Sequence, residues 1–180
     1  MYLPKIPAEK KAPAGLSTGR RQVLIAGLAV ALVPSTALLA QGADPVLRIT
    51  GQGNMTTLDE AGINALPWHE ITTSTRWTEG VQTFRGPLLR DVLMAGGLAR
   101  EDLAGRSLVM TALNDFRVTV AADDAWAYDP ILAREMNGTL MRVRDKGPLW
   151  LIYPRDQNPE LQNAVMDERW IWQLSGIEIR

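Results

Sequence analysis

Several short segments along residues 44–180 have the residue patterns of β-strands. The segment VLRIT at 46–50 alternates apolar and polar residues, which is typical of a half-buried strand. The β-branched segment HEITTST at 69–75 predicts a second strand. LWLIY at 149–153 is apolar throughout, which predicts a central strand buried on both faces.

Two helices are predicted between these strands. Thr57-Leu58-Asp59-Glu60 has the form of a capping box and predicts a short helix that ends before Pro67. Gly86-Pro87 is expected to open a second helix, LLRDVLMA, because proline is favoured in the first helical turn. Gly96-Gly97 then provides the stop of that helix.

The remaining segments predict further strands and turns. SLVMTAL and FRVTVAA are two strands joined by a tight turn at Asn114-Asp115. Further signals are a helix or turn start at Asp123-Asp124, an apolar stretch at 131–133, a turn at Asn137-Gly138, a helical piece at 159–166, and strands WIWQL and IEIR on either side of Ser175-Gly176. This tally predicts one α+β domain over residues 44–180, with mixed sheets and a few short helices.

The first 43 residues have the layout of an export signal. Basic residues ending in Arg20-Arg21 precede an apolar run at 23–40 with small residues at its end. Cleavage is expected after Ala40 or Ala43, and the arginine pair resembles a twin-arginine signal. An ordinary Sec signal and a retained membrane anchor remain as alternatives. We therefore expect a periplasmic location, with or without an anchor.

Charge and cysteine content exclude several classes of function. Residues 1–43 hold five of the 19 basic and one of the 20 acidic residues, which leaves a net charge of −5 for the domain. An acidic domain gives no electrostatic reason to expect nucleic acid as a partner. The chain contains no cysteine, so disulfides, thiolate metal sites and a cysteine nucleophile are excluded.

A set of motifs in a fixed order suggests a family. The motifs are TLDE at 57–60, ALP at 65–67, ITTST at 71–75, FRGPLLRDVL at 84–93, LNDF at 113–116, LAREMNG at 132–138, GPLWLIYP at 147–154 and RWIWQLSGIEI at 169–179. Together they resemble the molybdopterin-binding domain of the sulfite oxidase family, over essentially the whole domain. The resemblance implies that family's α+β fold and a molybdopterin-dependent oxidoreductase activity of sulfite oxidase type.

One residue that the resemblance implies is missing. In the family a cysteine at or just after the strand that ITTST matches holds the molybdenum, whereas here that strand continues as Ser74, Thr75 and Arg76. Three interpretations remain open. In the first, a Ser74 or Thr75 hydroxyl ligates the metal. In the second, the domain binds a pterin or another anion without catalysing a redox reaction. In the third, the fold serves recognition or sensing.

The resemblance also implies a cradle for the pterin phosphate. The cofactor-binding candidates are Ser74, Thr75, Arg76, Arg144 and Lys146, since guanidinium, ammonium and hydroxyl groups bind oxyanions. The alternative is that Arg144 and Lys146 belong to a solvated charged loop. His69 is the only histidine, so a histidine-based metal site is not expected.

The six tryptophans divide into core and loop candidates. Trp150, Trp170 and Trp172 lie in apolar segments and are expected in the core, because large aromatic side chains dominate core burial. Trp68, Trp77 and Trp126 lie near predicted loops and are candidates for lining a pocket or an interface.

The sequence thus predicts a periplasmic protein related to molybdopterin oxidoreductases but without conventional cysteine-ligated catalysis. The alternative is a non-enzymatic ligand-binding or sensory module that serves a membrane signalling partner. Candidate partners are a periplasmic or membrane protein and a small anionic ligand.

Overall fold

The computed structural model of the protein describes residues 44–180. The strands in chain order are β1 Pro45–Gly51, β2 Asn54–Asp59, β3 Trp68–Ser74, β4 Val81–Pro87, β5 Ser107–Ala112, β6 Arg117–Ala121, β7 Ile131–Ala133, β8 Glu135–Met136, β9 Thr139–Leu140, β10 Trp150–Ile152 and β11 Leu174–Ile179. The helices are α1 Glu60–Asn64, α2 Leu89–Ala95, α3 Arg100–Leu103, α4 Asp124–Ala127 and α5 Ala164–Asp167. Single 3-10 turns lie at Val143–Asp145, Arg155–Gln157 and Pro159–Leu161.

These strands form three sheets. The largest has the order β2-β1-β11-β5-β6, in which β1 and β11 are parallel and the other pairs are antiparallel. A second sheet, β3-β4-β8-β9, is antiparallel throughout, and β7 pairs with β10 alone. The predicted α+β fold with mixed sheets and a few short helices is confirmed.

The sheets and α2 enclose one hydrophobic core. Leu89, Val92 and Leu93 of α2 are fully buried in it, as their spacing on one helix face predicts. Gly86 of β4 lies against the backbone of β7 so closely that a Cβ atom there would overlap the Leu132 carbonyl. The close approach of β4 and β7 therefore depends on glycine, which has no side chain, at position 86.

Both predicted helix starts were placed wrongly. Thr57 and Leu58 belong to β2, and the cap of α1 is Asp59, whose carboxylate accepts a hydrogen bond from the Gly62 N–H at 2.7 Å. Gly86-Pro87 is the end of β4, so that α2 begins only at Leu89. In each case strand pairing extends further than the local helix signal suggested.

Two strand predictions near the C-terminus were also incomplete. The β10 residues are fully buried, but β10 is not central in a large sheet; it pairs with three residues of β7 and has one isolated bridge, between Trp150 and Trp172. WIWQL is not a regular strand, because Gln173 has a left-handed backbone conformation with φ of 54°. The final strand, β11, instead runs through Ser175-Gly176, where its pairing register shifts.

The predicted export signal, its cleavage points and the alternative anchor lie outside the described residues. Within residues 44–180, no helix has the length and apolar character needed to cross a membrane.

Candidate functional site

The end of β3, where the resemblance places a metal ligand, is joined to the 3-10 turn Arg155–Gln157. The Ser74 hydroxyl donates to Asp156 Oδ1 and the Ser74 backbone N–H donates to Asp156 Oδ2, both at 2.6 Å. In return, the Asp156 backbone N–H donates to Thr73 Oγ1 at 3.1 Å. One carboxylate thus accepts both donors of Ser74, whose hydroxyl oxygen also accepts a hydrogen bond from Arg155 Nη1 at 3.4 Å. We call this contact between Ser74 and Asp156 the strand-end junction.

A second carboxylate neutralises the arginines beside the strand-end junction. Asp167 at the end of α5 is buried, and its Oδ1 accepts a hydrogen bond from Arg155 Nε at 3.0 Å. Arg76 Nε lies 3.7 Å from the other oxygen of Asp167. The two guanidinium groups therefore compensate for the hydration that the Asp167 carboxylate loses on burial. Arg76 and Arg155 already have an anionic partner within the protein.

Thr75 stabilises the turn that follows β3. It is buried, its hydroxyl lies 2.8 Å from the Thr78 hydroxyl, and it accepts a hydrogen bond from the Trp77 N–H at 3.0 Å. These contacts set the position of Trp77 rather than leaving an oxygen free for a ligand.

The two remaining cradle residues, Arg144 and Lys146, lie in the 3-10 turn Val143–Asp145 and directly after it. Arg144 is exposed, with its Nε 3.7 Å from Asp145. Lys146 places its ammonium 5.6 Å from the ring centroid of Trp150 and 5.4 Å from that of Trp172. Neither side chain forms a hydrogen bond or ion pair with the strand-end junction among the described residues. Ser74, Thr75 and Arg76 come together at the end of β3, whereas Arg144 and Lys146 do not join them.

A groove lies next to the turn after β3. Its volume is about 760 Å³, within the range of small-molecule sites, and its walls are mainly apolar. Its lining residues come from that turn, the β5–β6 connection with β6, and the segment around α5; they include Trp77, Phe116, Arg117, Arg169, Trp170 and Trp172. We call this cavity the tryptophan groove.

Aromatic rings form one continuous wall of the tryptophan groove. The Trp77 ring centroid lies 5.5 Å from that of Trp172, in an edge-to-face arrangement, and 6.2 Å from that of Trp170. Behind them Trp150 is fully buried and lies 6.5 Å from Trp77. Burial of Trp150 and Trp170 confirms their predicted place in the core, while Trp172 is partly exposed.

A buried carboxylate holds Arg169 at the edge of this groove. Asp124 of α4 accepts hydrogen bonds on Oδ2 from Arg169 Nη1 at 2.5 Å and from the Tyr153 hydroxyl at 2.9 Å. Burial, together with the neighbouring Asp124 charge, raises the pKa of Tyr153 well above that of an exposed tyrosine, so Tyr153 remains a donor. Asp124, which Tyr153 also contacts, therefore fixes the position of the Arg169 guanidinium group.

Comparison with solved structures identifies this architecture. The described fold matches part of the sulfane dehydrogenase SoxCD from Paracoccus pantotrophus, with a TM-score of 0.57 and 17% sequence identity. The match covers 76% of this chain and 38% of the SoxCD chain. The fold is distantly sulfite oxidase-like. No protein-family model and no curated protein matches the sequence significantly.

The residues at the strand-end junction do not fit a molybdenum centre of the kind that this sulfite oxidase-like fold suggests. No thiolate is available, because the sequence has no cysteine, and the Ser74 hydroxyl is engaged by Asp156. Asp167 is paired with Arg76 and Arg155, so these two guanidinium groups already have a carboxylate partner. Within residues 44–180, no three side chains of histidine, cysteine, aspartate or glutamate converge to hold a metal ion. Molybdopterin binding therefore stays a prediction, without a cradle formed from these residues.

Sequence reasoning found one of the groove tryptophans and missed the arginines. Trp77 lines the groove as predicted, but Trp68 packs against Arg85 in the second sheet and Trp126 against Arg100. In the sequence, Arg169 stands out only as part of a motif. Its position between Trp170 and the acidic Glu168 carried no local signal of its role, since the partner Asp124 is 45 residues away.

Proposed function

We propose that this domain is a non-catalytic ligand-binding module built on the sulfite oxidase-like fold, with the tryptophan groove as its binding site. The observation that carries the proposal is the groove itself, an aromatic-walled cavity of about 760 Å³ that adjoins the turn after β3. Oxygen-atom transfer at a cysteine-ligated molybdenum centre is not part of the proposed activity.

The strand-end junction supports the non-catalytic part of the proposal. A metal bound through Ser74 Oγ would have to displace the 2.6 Å hydrogen bond from this hydroxyl to Asp156. The displaced carboxylate would keep only the longer contact of its Oδ1 with Arg155 Nη1, at 3.8 Å, because Arg155 Nε and Arg76 serve Asp167. The loss of a charge-assisted hydrogen bond disfavours this exchange.

The chemical character of the tryptophan groove supports binding. Small-molecule sites are concave, mostly apolar and supplied with a few placed polar groups. Here the tryptophans and Val118 provide apolar surface, and Arg117 and Arg169 provide charged donors. Exposed aromatic surface such as Phe116, which is 56% exposed, gains stabilisation when a ligand covers it.

Two measurements test this proposal together. Protein purified from its native compartment should contain no stoichiometric molybdenum or pterin, as measured by elemental analysis and by fluorescence of the oxidised pterin. A neutral aromatic probe, 2-naphthamide, should bind to the purified protein in ligand-observed NMR, and Trp77→Ala should weaken that binding. Trp126→Ala is the matched control, because Trp126 packs against Arg100 away from the groove lining. Stoichiometric molybdenum, or naphthamide binding unaffected by Trp77→Ala, would contradict the proposal.

Cysteine variants provide a complementary trial of the cofactor prediction. Ser74→Cys and Thr75→Cys each place a thiol at or next to the end of β3. If the fold retains a pterin site, one of them should acquire molybdenum when it is produced in cells that make the cofactor. Neither variant should do so under the present proposal, and stable molybdenum retention by either would revive molybdopterin as a ligand.

We also propose export to the periplasm, where a membrane or periplasmic partner would receive the binding signal. The basic start and the apolar run at 23–40 support this location. A reporter fused after Ala43 should reach the periplasm, and replacement of Arg20-Arg21 by lysines should block export by a twin-arginine route. Unchanged export of the lysine variant would indicate a Sec signal, and full-length protein confined to the membrane fraction would indicate an anchor.

A further inference from the structure

We propose that the tryptophan groove selects a planar aromatic compound that carries an acidic group, with Arg169 and Arg117 binding the acid. This inference rests on the proposed function, because it names the ligand class of the same groove. The acid is a carboxylate or a phosphate, since both offer oxygens to guanidinium donors.

The shape and chemistry of the walls favour a flat ring system. Trp77 and Trp172 meet edge to face at 5.5 Å, which leaves flat aromatic surface rather than a rounded aliphatic pocket. Aromatic ligands gain stacking or edge-to-face energy against such rings beyond the burial of area. Trp170 is only 2% exposed, and its indole N–H has no hydrogen-bond acceptor among the described residues.

Arg169 has the geometry of an anion receptor. Its contact with Asp124 involves Nη1, while Nε and Nη2 have no acceptor within residues 44–180. The side chain is 26% exposed, so it is partly desolvated but still reachable from the groove. Because Asp124 and Tyr153 fix the guanidinium, less side-chain entropy is lost when an acid binds to it. A planar guanidinium with two free donor positions matches a carboxylate or phosphate oxygen pair.

Arg117 contributes a second guanidinium group to the groove lining. Asp124 offsets the charge of Arg169, and Glu168 is the acidic residue of the lining. Arg117, at the start of β6, is exposed and forms no ion pair among the described residues. Because the two carboxylates balance the two arginines in charge, the preference for an acid over a neutral ring depends on the placed donors of Arg169, to which Arg117 adds a second guanidinium group.

Three naphthalene probes of similar shape test the inference on the purified protein at low salt. 2-Naphthoate and 2-naphthyl phosphate carry the acid, and 2-naphthamide is the neutral counterpart. We expect at least one acid to bind about tenfold or more tighter than the amide, in line with the strength of charge-assisted hydrogen bonds. The two acid arms distinguish a carboxylate ligand from a phosphate ligand. Added salt should reduce this preference, because Arg117 is exposed.

Substitutions assign the preference to the two arginines. Arg117→Gln and Arg169→Gln should each lower the affinity for the preferred acid about threefold to tenfold and leave amide binding nearly unchanged. Arg144→Gln is the matched control, since Arg144 is an exposed arginine outside the groove lining. Arg169→Gln leaves Asp124 buried without its cation, so the double variant Asp124→Asn with Arg169→Gln provides a folded alternative if the single variant is unstable.

The outcomes separate this inference from the proposed function. If the amide binds in a Trp77-dependent way but neither acid binds more tightly, the anion preference is wrong and the groove remains a binding site. The assignment to the two arginines is likewise wrong if the preference survives Arg117→Gln and the Arg169 variants. If no probe binds at all, the proposed function fails, and the ligand class fails with it.

Discussion

The strand-end junction can be tested by a double-mutant cycle of Ser74→Ala and Asp156→Ala. Asp156 receives hydrogen bonds from both the hydroxyl and the backbone N–H of Ser74, each at 2.6 Å. Hydrogen bonds to charged groups contribute about 1.5–3 kcal/mol each. Because the Asp156 side chain is 36% exposed, solvent screening reduces this figure, and we expect about 1 kcal/mol for each bond.

The cycle isolates the contact between the two side chains. Ser74→Ala removes the hydroxyl bond to Asp156, together with the longer contact from Arg155 Nη1 at 3.4 Å, and should lower the free energy of unfolding by about 1 kcal/mol. Asp156→Ala removes both bonds and should cost about 2 kcal/mol, while the Asp156 N–H can still donate to Thr73. The double variant should cost about 2 kcal/mol rather than 3, a coupling of about 1 kcal/mol.

Urea unfolding of the four proteins, followed by tryptophan fluorescence, measures these differences. Additive effects, within about 0.3 kcal/mol, would refute the reasoning, because independent sites add to that accuracy. The hydrogen bond from the Ser74 hydroxyl to Asp156 would then contribute nothing to the free energy of unfolding. A metal or an anion could bind this hydroxyl without a loss of stability. Coupling as large as expected means that any such ligand must first displace Asp156.

Three further predictions concern the core and its ionisation. Leu151→Ala should lower the free energy of unfolding by about 2–5 kcal/mol, since Leu151 is fully buried; a loss below about 1 kcal/mol in urea would contradict its core position. Gly86→Ala should cost about 2 kcal/mol or more, because its methyl group would overlap the Leu132 carbonyl, whereas Gly176→Ala has room and should cost less than half as much in the same assay. Stability should fall as the pH rises above about 10, the value for an exposed tyrosine, since the raised pKa of Tyr153 disfavours its ionisation in the folded state. Urea titrations between about pH 9 and 11 should show a shallower fall for Tyr153→Phe, and equal slopes would exclude this residue as the cause.

Local patterns predicted most of the secondary structure correctly. The strands at β1, β3, β5 and β6 follow from alternation and β-branching within a few residues, and the turn at Asn137-Gly138 follows from two residues that tolerate positive φ. The errors arose where a distant partner decided the outcome. Thr57 is paired with Arg48 and Gly86 lies against β7, so strand pairing prevailed over the helix-start signals.

The site was harder to predict because its contacts are long-range. Ser74 and Asp156 are 82 residues apart, and Arg169 and Asp124 are 45 residues apart. A carboxylate that will neutralise a predicted phosphate-binding arginine has no signature in a single sequence. The β-branched run predicted the end of β3 to within one residue, but not the acidic residues that surround it.

The turn after β3 links the position of the absent thiolate to the groove that we propose as the binding site. Thr75 lies directly after the strand-end junction, and its hydroxyl accepts the N–H of Trp77, which lines the groove. The resemblance implies a metal-binding thiolate at or just after the end of this strand. Here Asp156 and Asp167 fix the strand end and its neighbouring arginines, and the aromatic cluster holds Trp77 against Trp172. The segment at which the resemblance implies a metal ligand therefore also positions an aromatic ring of the tryptophan groove, and under the proposed function this fold serves recognition rather than redox chemistry.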